Sequence, residues 1–237
     1  MKILTLNAWG AYGPPERRPV LREALAQLDA DVVCLQEANV PGLLESLPYP
    51  TRLQFPEAGL AILSRFPSRS HRQSAYRAVS PLENHCRGAL LAQLETDGSV
   101  FWVVSTHLAW KADDGTTRLA QVEELLELLA GLPDPVLVGG DFNATTQEPA
   151  VTRMVAGRFT DLHARLAPGR PGITWDNRNP FIQSHSVRFP DRRIDYLFLR
   201  GTFSGLQPVR CEVACSGSSP GGLYPSDHYG VLARFQP

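Results

Sequence analysis

The chain has no apolar run of membrane-spanning length, almost no net charge and few cysteines, and each shortage removes a class of protein. Without roughly 20 consecutive apolar residues, insertion into a membrane as a helix is excluded. Formal net charge is -1 over 237 residues, which argues against coating nucleic acid through bulk charge but leaves room for a local basic groove. Cys34, Cys86, Cys211 and Cys215 are the only cysteines. They lack the histidine or cysteine spacing that completes a zinc site, and they read as free thiols. Also missing are a Gly-rich loop followed by Lys-Ser/Thr, which disfavours nucleoside-triphosphate chemistry of that kind, and a Gly-x-Ser-x-Gly elbow. The opening Met-Lys-Ile-Leu-Thr-Leu-Asn reads as a strand with no secretory leader, so a cytoplasmic location is expected.

What is present is a globular composition, 43% hydrophobic and 20% charged, patterned mainly as strands. Segments 2–6, 31–36, 60–64, 88–94, 100–107, 136–140, 194–199, 209–214 and 230–235 read as strands. Asp97-Gly98 signals a hairpin. Helical spacing appears at 19–28, with Pro19 in the first turn, at 117–129, closed by Gly131, and at about 148–155. Two packed sheets covered outside by helices bury these runs, and with no linker or repeat one domain over 1–237 is expected.

The informative residues stand where apolar runs end. Val136-Leu-Val-Gly-Gly-Asp-Phe-Asn143 finishes a buried strand with two residues that permit close approach, then offers a carboxylate and an amide. Taken alone this is equally a turn. The same grammar recurs at Leu6-Asn7-Ala8-Trp9-Gly10, Leu35-Gln36-Glu37, Ser105-Thr106-His107-Leu108 and Ser226-Asp227-His228. Arg192-Arg193-Ile194-Asp195-Tyr196 places an acid inside a strand-like run. If buried, it needs a partner, either a histidine or one of the adjacent arginines. The set supplies Asn, Glu, Asp and His, hard donors suited to Mg²⁺ or Mn²⁺, and metal-assisted phosphate-ester hydrolysis is the chemistry these residues suit best.

The order of these motifs, from Leu4-Thr5-Leu6-Asn7 to Ser226-Asp227-His228, resembles the endonuclease/exonuclease/phosphatase superfamily of metal-dependent phosphoesterases. Gly-Gly-Asp-Phe-Asn, Arg-Ile-Asp-Tyr and Ser-Asp-His are its most specific parts. The resemblance implies an α/β (α+β) four-layer sandwich, two mixed sheets face to face with helices outside. It implies Glu37 as the main metal ligand, with Asn7 and Asp227 close to the same ion. Asp141 would orient or deprotonate the attacking water, and Asn143 would bond that water or the phosphoryl oxygen. Asp195 would hold His228 against the scissile phosphate. His107 would bind phosphate or protonate the leaving oxygen, and Arg87 would contact phosphate.

Substrate is less legible. The 175–191 segment separates two motifs without regular patterning, and it carries Trp175, Asn177, Asn179 and Phe181 as candidate substrate contacts. Thr174-Trp175-Asp176 is similar to a segment of tyrosyl-DNA phosphodiesterases. Trp175 is either a stacking platform for a base or a core residue. Arg65, Arg69, His71 and Arg72 form a basic run that is either a backbone contact or a solvated face. Nucleic acid or a nucleic-acid end is the first expectation for substrate, with a small metabolite or a phospholipid headgroup as the alternative. A non-catalytic binding module is the rival of another class. A monomer is expected.

Overall fold

The computed structural model describes residues 1–96 and 98–237. In chain order its elements begin with β1 (Lys2–Asn7), α1 (Arg17–Leu28), β2 (Val32–Gln36), α2 (Leu43–Ser46), β3 (Thr51–Phe55) and β4 (Leu60–Ser64). Next come β5 (Ser68–Ala75), β6 (Gly88–Thr96), β7 (Ser99–His107), α3 (Gly115–Ala130) and β8 (Val136–Asp141). The chain closes with α4 (Pro149–Ala156), β9 (Thr160–Asp161), α5 (Leu162–Leu166), β10 (Asp195–Arg200), β11 (Gln207–Ala214) and β12 (Gly230–Gln236). They form two six-stranded sheets, ordered β11-β12-β1-β2-β4-β3 and β5-β6-β7-β8-β10-β9. Each is mixed, with one parallel pair, β1/β2 or β7/β8, among antiparallel neighbours. The expected sandwich is what the chain adopts.

Side-chain parity explains the layers, because successive residues of a strand face opposite sides. Ile3, Val32, Cys34, Val103, Leu137 and Leu197 face inward and form the core between the sheets. Leu4, Leu6, Val33 and Leu35 face the other way and pack on Leu21 and Leu25 of α1. Val104, Val136 and Val138 meet Val122, Leu125 and Leu129 of α3 and Met154 of α4. Continuing the inward parity to the strand ends gives Asn7, Gln36, His107, Asp141 and Asp195. The same alternation that builds the core therefore aims these polar groups into the gap between the sheets.

Between core and strand ends lies a polar belt. Gln36 Nε2 donates to Thr5 Oγ1 at 3.2 Å and to Ser105 Oγ at 3.1 Å, crossing from one sheet to the other, and Ser105 Oγ donates to Leu35 O at 3.0 Å. All three side chains are fully buried, and their mutual bonds satisfy groups that would otherwise be costly there.

Boundaries mostly match the patterning, and the differences have physical causes. The expected strands and three longer helices are all present, and Gly131 ends α3. The hairpin between β6 and β7 pairs Thr96 with Ser99, while Asp97 of the expected turn lies outside the described residues. Three strands, β3, β5 and the two-residue β9, are additional. β5 reads Ser-Arg-Ser-His-Arg-Gln-Ser-Ala, an exposed edge with no apolar alternation to reveal it. It carries much of the basic run, which is largely spent on neighbours: Arg69 pairs with Glu95, Arg65 with Asp29, and Arg72 bonds Leu128 O. The four cysteines are free thiols. No helix among the described residues is long and apolar enough to cross a membrane.

The sheets approach closely at Gly139. A Cβ there would lie 3.0 Å from Thr5 Cβ and 3.1 Å from Cys34 Cβ, both on the opposite sheet. Gly139→Ala is therefore expected to destabilise the fold by about 1–3 kcal/mol through overpacking. Urea unfolding checks this, with the midpoint lowered and the slope unchanged.

Candidate active site

The inward-facing strand ends converge on the Asp141 carboxylate. In the second sheet His107, Asp141 and Asp195 are direct cross-strand neighbours in register. Asp141 Oδ1 accepts the Asn143 N–H at 2.9 Å. Asp141 Oδ2 accepts from Asn7 Nδ2 at 3.0 Å, and lies 3.3 Å from His107 Nε2 and 3.8 Å from His228 Nε2. Asn143 Nδ2 reaches His107 Nε2 at 3.2 Å and Leu108 O at 3.1 Å. His228 Nδ1 meets Asp195 Oδ2 at 3.0 Å. The histidine is thus the partner of Asp195. Of the competing arginines, Arg193 pairs with Asp161 and Arg192 lies over the Phe189 ring.

These contacts set the charge states. Burial alone pushes the His228 imidazole toward neutrality, but the carboxylates of Asp195, Asp141 and Asp227 reverse this and hold its pKa well above the ordinary value. Burial likewise opposes ionisation of Asp141, yet His228, His107 and Asn7 bring its carboxyl well below the usual range. Asp195 is raised, by burial first and by the Asp141 charge, against the lowering effect of His228.

Glu37 sits across the gap, at the exit of β2. Its Oε1 accepts from Asn7 Nδ2 at 3.2 Å, and its other oxygen has no hydrogen-bond donor among the described residues. Asp227 Oδ1 accepts from Ser226 Oγ at 3.1 Å and its Oδ2 meets His185 Nε2 at 2.9 Å. A cleft of about 800 Å³ is lined by Asn7, Glu37, His107, Asp141, Asn143, His185, Asp227 and His228, with Asp195 and Ser226 buried behind, and is walled by Trp9, Tyr12, Trp110, Trp175 and Phe189. Its lining carries the carboxylates of Glu37, Glu57, Asp141 and Asp227 against the guanidiniums of Arg87 and Arg192. An excess of hard oxygen donors, one of them without a protein partner, fits a divalent cation of the Mg²⁺ or Mn²⁺ type.

Backbone strain marks the strand exits. Trp9, Glu37 and Asn143 all have positive φ, at 58°, 46° and 49°. Such conformations cost of order 1–3 kcal/mol for residues with a side chain and gather at functional sites. The Trp9 loop is braced by Arg17, which is fully buried. Its Nε donates to Tyr12 O at 2.8 Å, Nη1 to Ala8 O and Pro225 O at 3.0 Å each, and Nη2 to Trp9 O at 2.8 Å and Gly10 O at 2.6 Å. A guanidinium has five N–H donors, and here every one is used on main-chain carbonyls. Burial pushes the Arg17 pKa down to about 10, with Asp227 opposing, so it stays cationic at neutral pH. Through Pro225 it ties the loop after Asn7 to the Ser-Asp-His segment, and Ser226 Oγ adds a 2.7 Å bond to Asn7 O.

The structure places three of these residues more narrowly than the sequence did. Asn7 presents its NH₂ group, not its oxygen, to Glu37 and Asp141, because its Oδ1 is occupied by the Trp9 N–H at 2.9 Å. Asn7 therefore spaces two carboxylates rather than offering a metal an oxygen in this conformation. Asn177 does not line the cleft; its amide is spent on Phe189 O and Asp191 inside its own loop. Trp175 lines the cleft but is only 7% exposed, its ring 5.1 Å from both His185 and His228. That makes it a spacer between two imidazoles rather than an open stacking platform. Arg87 lines the cleft, with its guanidinium held by Glu83. Sequence reasoning missed His185, Glu83, Arg17 and Arg192. None sits at the end of an apolar run, which was the signal used.

Residues 4–228 match the family model described as Endonuclease/Exonuclease/phosphatase family. The chain belongs to this family. Membership places it among phosphoric-ester hydrolases. The uncharacterized protein YbhP of Escherichia coli K12 is 29% identical over 230 residues, covering 84% of this chain and 84% of that protein. Tyrosyl-DNA phosphodiesterase 2 of Xenopus laevis is 26% identical over 238 residues, 93% of this chain and 62% of that protein. In structure, D. rerio TDP2 complexed with single strand DNA product superposes with a TM-score of 0.83 at 21% identity, over 100% of this chain and 99% of that one. At that identity the likeness is one of fold.

The Asp195–His228 pair makes a pH prediction for the metal-free protein. His228, whose pKa is raised on folding, contributes stability that is complete below about pH 6.5 and lost as pH rises through its folded value. Asp141, whose pKa is depressed, contributes above about pH 4 and loses this as pH falls through its folded value. Asp195→Asn is expected to lower the His228 pKa by about one unit or more, read from imidazole resonances in a pH titration. An unchanged titration would break the assignment.

Proposed function

We propose that this chain hydrolyses a phosphate ester of a nucleic acid or a nucleic-acid end, using Mg²⁺ or Mn²⁺. The observation that carries the reading is the convergence of Asn7, His107, Asn143 and His228 on one Asp141 carboxylate, with the open oxygen of Glu37 in the same cleft. Nucleic acid is favoured as substrate because tyrosyl-DNA phosphodiesterase 2 is a relative over most of this chain and because the cleft walls are aromatic.

Glu37, with Asp227 nearby, would hold the ion, which when bound lowers the pKa of water and offsets phosphoryl charge. Asp141 orients the attacking water; a carboxylate held so far below its ordinary range is a better acceptor than base. Asn143 bonds that water or a phosphoryl oxygen. The His228 imidazolium, fixed by Asp195, faces the charge that grows on the phosphoryl oxygens. As the water oxygen bonds to phosphorus, the opposite phosphorus–oxygen bond breaks, and His107 supplies a proton or a hydrogen bond to the departing oxygen. Trp175 keeps His228 apart from His185.

Purified protein with Mg²⁺ or Mn²⁺ is expected to turn over bis-p-nitrophenyl phosphate and phosphotyrosyl-DNA, with abasic DNA as a third substrate. Asp141→Ala should lose about a hundred- to ten-thousandfold in kcat. Glu37→Ala should lose activity together with Mn²⁺ binding measured by calorimetry. Wild type indistinguishable from Asp141→Ala on all three substrates would refute hydrolysis.

A further inference from the structure

Arg87 lines the cleft beside the catalytic strands, since the next residue, Gly88, pairs directly with His107. It does not offer the cleft a free positive charge. Its Nε donates to Glu83 Oε1 at 2.7 Å and its Nη2 to Glu83 Oε2 at 3.2 Å. Side-chain exposure is 9% for Arg87 and 2% for Glu83, so the pair is sealed from solvent and weakly screened. Glu83 Oε2 also accepts the Trp110 N–H at 3.2 Å, fixing the chain two residues past Leu108. Burial opposes ionisation of Glu83, but the Arg87 guanidinium more than offsets this and keeps it charged at neutral pH. Arg192 is then the cleft cation without a carboxylate pair among the described residues.

We propose that Glu83 is a specificity-determining residue, which neutralises Arg87 at the cleft wall and so selects monoanionic phosphodiesters over dianionic phosphomonoesters. The proposal rests on the hydrolase reading above and names its substrate class. Two observations support it besides the ion pair. The lining is already rich in carboxylates, so each further negative charge on a ligand meets repulsion that a free Arg87 would have relieved. The cleft also has an aromatic side chain on each bank: Tyr12 follows β1 of one sheet, and Trp110 follows β7 of the other. A diester carries an organic group on each side of phosphorus and can use both banks, while a monoester has only one such group. Selectivity here is a difference between two affinities, set by a charge placed against the unwanted ligand.

The test measures binding, so it does not depend on turnover. Calorimetry on the Mn²⁺-loaded protein at about pH 8 compares diphenyl phosphate, a monoanion, with phenyl phosphate, a dianion above its second pKa of about 6. Wild type is expected to favour diphenyl phosphate by about tenfold or more. Glu83→Gln keeps the size of the side chain and an acceptor for Trp110. It should tighten phenyl phosphate about fivefold or more and leave diphenyl phosphate within about twofold. The double variant Glu83→Gln with Arg87→Gln should lose that gain, which assigns it to the released guanidinium. Arg87→Gln alone should weaken phenyl phosphate more than diphenyl phosphate. Equal effects of Glu83→Gln on both ligands, a wild type that prefers phenyl phosphate, or one that binds neither, would overturn the proposal. Binding selectivity as expected with no hydrolysis of any ester would sink the hydrolase reading and leave the role of Glu83 standing.

Discussion

Asn7 and Asp141 belong to different sheets, and their 3.0 Å hydrogen bond depends on how closely those sheets approach. Gly139 sets that approach, because the space a side chain would fill there is taken by Thr5 and Cys34 of the facing sheet. Two residues further along each strand, parity delivers Asp141 and Asn7 to the same gap. Spreading the sheets would leave an apolar crevice with a carboxylate on one side and an amide on the other. Glu37 is tied to this contact as well, since it shares the Asn7 amide. The Thr5–Gln36–Ser105 belt lies directly beneath and grades the interior from hydrocarbon to amide to charge. A cluster as polar as Asp141, Asp195 and His228 can therefore sit nine-tenths buried without facing an apolar floor.

Charge within the cluster is balanced locally. Asp195, His228 and Asp141 alternate in sign, so each group stabilises the charged form of the next, and Glu83 answers Arg87 at the start of β6. The excess negative charge that remains is on the lining itself, at Glu37, Glu57 and Asp227. A divalent ion and an anionic ester would complement that lining jointly better than either could separately.

The fold was legible because its central strands are buried on both faces and so appear as continuous apolar runs. Ile3-Thr5-Asn7 and Leu137-Gly139-Asp141 each run from core to site along one face, and the sequence shows both the apolar stretch and its polar exit. What such runs do not encode stayed hidden. β5 faces solvent at a sheet edge and has no buried parity to display. Glu83 and His185 come from irregular segments, and their meaning arises only from partners brought close by folding, Arg87 at 2.7 Å and Asp227 at 2.9 Å. Asn177 read as a substrate contact because its loop is long and polar, yet a long loop must also satisfy its own main chain, and Asn177 serves that need. The positive φ at Glu37 and Asn143 had no glycine to announce it.

Arg17 ends every one of its five hydrogen bonds on a main-chain oxygen. Main-chain oxygens are supplied by any amino acid, so these bonds do not read the side chains of Ala8, Tyr12 and Pro225, although the guanidinium also lies 4.9 Å from the Trp9 ring. An ion pair drifts through evolution as two coupled letters; this brace has only one. Substitutions at Ala8, Tyr12 and Pro225 therefore need no compensating change at position 17 to keep the brace. The loop can thus vary the exposed side chain of Tyr12, while its path past Asn7 and Asp227 is held through its main chain.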